Sequence, residues 1–134
     1  MNIKNKSLLD KMSAEAKASP RLRMNNNFHQ SLEDKSHRFL NAVEPSTEVP
    51  IHQHPTKDES FVLLYGRVRV TTHNDDVSVI ESVVLNPEKG LCGVDIPKGV
   101  WHKVESLESG CVFFECKEDP FVPYEQDGIL TVNV

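Results

Sequence analysis

The later two thirds of the chain are punctuated at short, even intervals, and that rhythm limits the fold more than any other feature. Phe61-Val62-Leu63-Leu64-Tyr65 is a short apolar run closed by Gly66. Arg67 to Thr72 alternates with its valines on one side, and His73-Asn74-Asp75-Asp76 is a turn cluster. Val77 to Leu85 reads as one long strand or two short ones before the turn Asn86-Pro87-Glu88-Lys89-Gly90. Cys92, Val94 and Ile96 share a face and lead into Pro97-Lys98-Gly99. Trp101 to Glu105 and Cys111 to Lys117 form a further pair around Glu108-Ser109-Gly110. Short strands with turn signals, and no long helix among them, predict an all-β sandwich or barrel. A length of 134 residues fits one domain, and 38% hydrophobic residues can supply its core.

The region before these strands is more varied. Residues 4–19 read as an amphipathic helix, with Leu8, Leu9, Met12 and Ala16 at helical spacing and an end at Pro20. Residues 21–29 alternate instead. Arg21, Arg23, Asn25, Asn27 and His29 occupy one face, and Leu22, Met24 and Phe28 the other. That polar row either meets water on an edge strand or lines a pocket, where the arginines suit a phosphate or carboxylate. Ser31 to Asp34 reads as a turn or helix start, and a short helix is expected over residues 36–41. His37 and His73 are expected at the surface. Pro45 and Pro50 bracket an extended approach to His52.

The chemistry concentrates in Ile51-His52-Gln53-His54-Pro55-Thr56-Lys57-Asp58-Glu59. On a strand, His52 and His54 point to one face because side-chain direction repeats every two residues. Glu59 can return to that face after the turn at Pro55-Thr56-Lys57, and His102 can reach it from a separate strand. Asp58 is a rival for Glu59, but only one of two adjacent residues points inward. Three imidazoles and one carboxylate suit a borderline divalent metal: iron, nickel, manganese, cobalt or zinc. Four ligands on an octahedral ion leave two positions for water or substrate. Outside this set, His29 is the candidate acid or base. Cys92, Cys111 and Cys116 lie in apolar contexts and are expected to be inert thiols, with Cys92 a minor candidate for a cavity wall. Glu115 and Lys117 share a face, as an exposed pair or as polar lining.

Composition removes some classes of function. A net charge of −5 argues against a nucleic-acid partner. No apolar run approaches the roughly 18 residues of a membrane span. Three cysteines and no export signal near the N-terminus predict a reducing, cytoplasmic setting.

His52-x-His54-x4-Glu59-x6-Gly66 resembles the first motif of the cupin superfamily, and Gly90-x6-Pro97-x-Gly99-x2-His102 its second. The glycine that usually opens the first motif has no counterpart near Ser46 or Thr47, and Ser106 stands where the second often ends in asparagine. Neither position is a ligand. Arg21 to His29, Ser31 to Asp34, Arg38 to Pro45, and Ile96-Pro-x-Gly-x-Trp101-His102 followed by Glu115-x-Lys117 are similar to the WbuC family of cupin-fold metalloproteins.

The resemblance implies a single-domain antiparallel cupin barrel, a double-stranded β-helix, with a short N-terminal helix. Residues 1–20 would form the helix and arm, residues 21–122 the barrel, and residues 123–134 a tail on the barrel or a partner. It also implies one divalent metal held by His52, His54, Glu59 and His102, and an association with O-antigen or capsule sugar biosynthesis. The expected activity is that of an isomerase or epimerase on a carbohydrate or nucleotide-sugar. Arg21, Arg23, Asn25 and Asn27 would bind the ligand and His29 would move a proton. A metal-dependent dioxygenase and a non-catalytic, metal-assisted binding barrel are the alternatives. A homodimer is expected for a small barrel with apolar helix residues to cover.

Overall fold

The computed structural model describes residues 1–118 and the short strand at 129–130. The expected tail at 123–134 otherwise lies outside the described residues. Helix α1 runs Lys6–Ala18, close to its expected limits. The Asn5 side chain caps it by accepting the Leu8 N–H at 3.0 Å. Ser19, held extended before Pro20, ends it.

Among the described residues ten strands follow: β1 (Arg23–Asn27), β2 (Ser36–Val43), β3 (Ile51–His52), β4 (Glu59–Tyr65), β5 (Val68–His73), β6 (Val79–Leu85), β7 (Gly93–Ile96), β8 (Trp101–Ser106), β9 (Cys111–Glu118) and β10 (Ile129–Leu130). They form two antiparallel five-stranded sheets, ordered β1-β2-β9-β4-β7 and β10-β3-β8-β5-β6. Among the described residues no helix is long and apolar enough to cross a membrane.

Two apolar clusters hold this arrangement. Phe61, Leu63, Val68, Val70, Leu85, Ile96 and Phe113 fill the space between the sheets. Their alternation along each strand follows the pleat: Phe61 and Leu63 are buried while Val62 between them is exposed. The second cluster lies outside the first sheet, where Leu9, Met12 and Ala16 of α1 cover Leu40, Ala42 and Val112. Each large aliphatic side chain so buried contributes about 1.5–3 kcal/mol.

The second cluster explains why residues 36–41 form a strand and not the expected helix. Strand β2 is covered on both faces, so apolar residues are not confined to every second position. Leu40 and Ala42 pack against α1, while Phe39, Asn41 and Val43 point the other way. A strand buried on both sides loses the alternation that marks it in sequence. At the turn after β4, Gly66 has φ of +90°, and a Cβ there would fall 2.9 Å from the Cα of Cys111. Glycine is required by conformation and by space.

Candidate metal centre and ligand cavity

Strand β3 pairs with β8 so that His52 lies directly opposite His102. The loops beyond are tied together. Gly99 donates its N–H to the His54 carbonyl at 2.9 Å, and Lys98 donates its N–H to Oδ1 of Asp58 at 2.9 Å. Asp58 is thereby committed to the loop and exposed, and Glu59 is the carboxylate that turns inward. The result gathers one ligand atom from each of His52, His54, Glu59 and His102 within 4.8 Å of one another.

The imidazoles are oriented from behind. Nδ1 of His52 donates to the Pro50 carbonyl and Nδ1 of His102 to the Val100 carbonyl, both at 2.9 Å. A carbonyl only accepts, so each neutral ring carries its lone pair on Nε2, as a metal ligand requires. Burial, reinforced by the neighbouring His102, pushes His52 down to about 3, so it is neutral near pH 7. Burial pushes the Glu59 carboxyl up, but the imidazoles of His102 and His54 outweigh it and hold Glu59 well below the usual carboxylate range.

The donor set fits a divalent ion on a specific geometric ground. Nε2 of His54 lies 2.7 Å from Oε2 of Glu59, and Nε2 of His102 lies 3.5 Å from Oε1. Yet both ring nitrogens are buried without a hydrogen bond of acceptable geometry. Close approach without alignment is what atoms directed at a shared ion display. Three imidazole nitrogens and one carboxylate oxygen suit iron, nickel, manganese, cobalt and zinc alike.

A cavity of about 220 Å³ adjoins this cluster, and His52 and Glu59 line it. Arg23, Asn25, Asn27 and His29 line it too, so four of the five residues of the polar row border the cavity, with Asn25 and Asn27 also exposed to water. Arg21 does not. It sits in an exposed turn before β1, and Leu22, with φ of +54°, breaks the alternation that would have carried Arg21 to the same face.

Register adds residues to the cavity and settles where spacing left two readings open. Asn25 pairs with Asn41, His37 with Lys117, and Lys117 with Glu59. Asn41, His37, Glu115 and Lys117 all line the cavity. His37 is buried, not superficial, and stacks on His29 at 4.3 Å between centroids and 9° between planes. Burial, with His29 beside it, lowers its pKa. Nδ1 of His29 lies 3.1 Å from the Arg38 backbone nitrogen and 3.2 Å from the Arg38 carbonyl, which also accepts from the Phe28 N–H at 2.8 Å. Asn41 and His37 lay hidden in the segment read as a helix.

Glu115 and Lys117 are therefore lining and not an exposed pair. Cys92 is exposed and away from the cavity, whereas Cys111 is buried. His73 is buried as well and has a structural place, bonded to the Val77 carbonyl and the Thr71 hydroxyl at 2.9 Å each.

A family model described as "Domain of unknown function (DUF6016)" matches residues 4–85, more than half of the chain. No curated protein matches it. Among solved structures, the capsular polysaccharide assembling protein CapF from Staphylococcus aureus is similar at 25% identity and a TM-score of 0.66. That match covers 84% of this chain and 32% of CapF, so the chain spans about a third of CapF's length. KdgF from Halomonas sp. is similar at 14% identity, with 77% and 84% coverage and a TM-score of 0.59. The cupin domain of Schizosaccharomyces pombe Cnp3 is similar at 12% identity, with 74% and 61% coverage and a TM-score of 0.56. The two sheets are those of a cupin barrel.

Proposed function

This chain belongs to the DUF6016 family, and from that premise we propose that it is a mononuclear metal-binding cupin acting on a carbohydrate or nucleotide-linked sugar, with an isomerase or epimerase type of reaction. The observation that carries the reading is the sharing of one cavity by the ligand cluster and the polar row of β1. A bound divalent ion would supply polarisation of a carbonyl or hydroxyl at its open positions. His52, His54, Glu59 and His102 would hold that ion.

The chain's own residues do the rest. Arg23, Asn25 and Asn27 bind and orient the ligand from the facing wall. His29 lines the same cavity, which places it to exchange a proton with the ligand. The likeness to CapF, a capsular polysaccharide assembling protein, supports a role in surface-polysaccharide biosynthesis. So does the resemblance of the segments around Arg21–His29 and Trp101-His102 to the WbuC family. Val79, Ile80 and Val84, exposed on edge strand β6, give a homodimer an apolar surface to cover. Cytoplasmic residence belongs to the same reading.

Elemental analysis of tag-free protein beside His52→Ala tests it. Near-stoichiometric metal in the native chain and none in the variant is the expected result. Loaded protein, offered keto-sugars and nucleotide-linked sugars in deuterated water, should then place deuterium on a sugar carbon, and His29→Gln should not. A native chain without metal sinks the reading. Deuterium incorporation that survives His29→Gln removes the role given to that residue.

A further inference from the structure

The two cations on the cavity wall sit in the field of Glu115 but make no direct contact with a carboxylate. Neither Arg23 nor Lys117 forms an ion pair among the described residues. Nζ of Lys117 rests 5.3 Å above the Phe39 ring, a weak contact for an ammonium group. Nε of Arg23 is buried without a hydrogen-bond partner. So is Oδ1 of Asn41, a residue that is 2% exposed. Buried polar atoms are almost always satisfied, by protein, by water or by a ligand. Here one wall of a single cavity offers an unmet donor and an unmet acceptor.

Charge points the same way. With a divalent ion in place, the positive charge of the ion, Arg23 and Lys117 exceeds what Glu59 and Glu115 return, even if both carboxyls are ionised. A cavity with that excess selects an anion. The planar guanidinium fork matches a carboxylate, and the unmet acceptor on Asn41 calls for a hydroxyl hydrogen.

Size then narrows the class. The cavity volume is about 220 Å³. It lies below the ~300–1,000 Å³ of clefts that enclose drug-sized ligands. One sugar ring with a carboxylate fits. A base, a ribose and two phosphates added to that ring would extend beyond it.

We infer that the cavity takes a single monosaccharide-sized sugar acid, its carboxylate on Arg23 within the field of Lys117 and its hydroxyls on Asn41, Asn25 and Asn27. This deepens the metal-dependent carbohydrate reading, on which the charge excess rests. The unmet atoms of Arg23 and Asn41 stand apart from it.

Titration calorimetry on the native chain tests the inference, with metal content measured on the same samples. The probes are glucuronate, galacturonate and gluconate, each beside its uncharged counterpart, together with glucose 6-phosphate and a uridine-diphosphate-linked glucuronate. At least one acid should bind tenfold or more tightly than its neutral counterpart. Arg23→Gln should remove that preference, and Lys117→Met should weaken it. Arg23→Lys, which keeps the charge and loses the fork, should fall between native and Arg23→Gln. Equal affinity for every acid and its counterpart overturns the inference, as does no binding of any acid. Tighter binding of the phosphate or the nucleotide-linked sugar overturns it too. A metal-loaded chain without acid preference sinks this inference and leaves the metal reading intact. Acid preference in a metal-free chain does the reverse and leaves Arg23 in place.

Discussion

The two walls of the cavity are built on opposite plans. On the histidine side, β3 and β8 commit the outer nitrogens of His52 and His102 to backbone carbonyls, so their inner nitrogens converge. On the facing side, β1, β2 and β9 present a mixed row whose donors and acceptors are partly unmet: Nε of Arg23 and Oδ1 of Asn41. The first wall is preorganised for a point charge. The second is organised for an extended molecule with several polar groups. Under the proposed function, the contrast makes ion binding and ligand choice separable, because largely different strands would carry them.

The largest test of that separation is metal content. His102→Ala removes a buried ligand and should lose nearly all bound metal, whereas Asn25→Ala, on the other wall, should retain it. Loss of metal from both variants would mean that the walls act as one unit, and mass spectrometry under native conditions decides it.

Next in size is the response of metal-free protein to acid. His52 is pushed down to about 3 from an ordinary value of 6.5, so the folded state resists binding the proton that the unfolded chain accepts. Its contribution to stability is complete above about pH 6.5 and is lost as pH falls toward 3. The lowered carboxyl of Glu59 adds loss in the same direction below its ordinary value of 4.5. Urea midpoints of metal-free protein should therefore fall from pH 7 to pH 4, and His52→Gln should flatten the upper part of that slope. A flat native profile would contradict the assignment of a buried neutral imidazole.

Leu9→Ala comes third. It removes a buried side chain of α1 from the outer cluster and should cost about 2–5 kcal/mol. Because α1 backs the polar wall, ligand affinity should drop more than metal content. Equal losses in both would blur the distinction between the walls.

The smallest expected effect comes from Glu115. Burial, with the charge of Glu59 beside it, drives its carboxyl well above the usual carboxylate range. A raised carboxyl stabilises below its ordinary value, and that help is lost as pH rises. Glu115→Gln should thus raise the melting temperature at pH 8 by roughly 2–4 °C, on the scale of ~1 kcal/mol for a chain of this size. A fall would show that the ionised carboxylate is needed.

The histidine wall was readable in sequence because its determinants are local. His52, His54 and Glu59 fall within one short segment, and the Pro97–Gly99 turn announces His102. Half of the polar wall was readable for the same reason, as the alternation from Arg23 to His29. Asn41 and His37 join it only through pairings between distant strands, and those pairings also decide between the two readings that spacing left open for Glu115 and Lys117. Strand β2 was misread because α1 covers its second face and erases its alternation. Arg21 was misplaced because a single left-handed residue, Leu22, reverses the face without leaving a compositional mark.

The double covering of β2 also bears on how such a barrel can diverge. Odd positions 37, 39 and 41 serve the cavity, while 40 and 42 serve the helix. Point changes at the odd positions can retune what is recognised and leave the scaffold untouched. An insertion or deletion of one residue would exchange the two sets, sending Leu40 into the cavity and Asn41 under the helix. Descendants of this chain should explore new ligands by substitution along β2 and confine changes of length to the turns on either side.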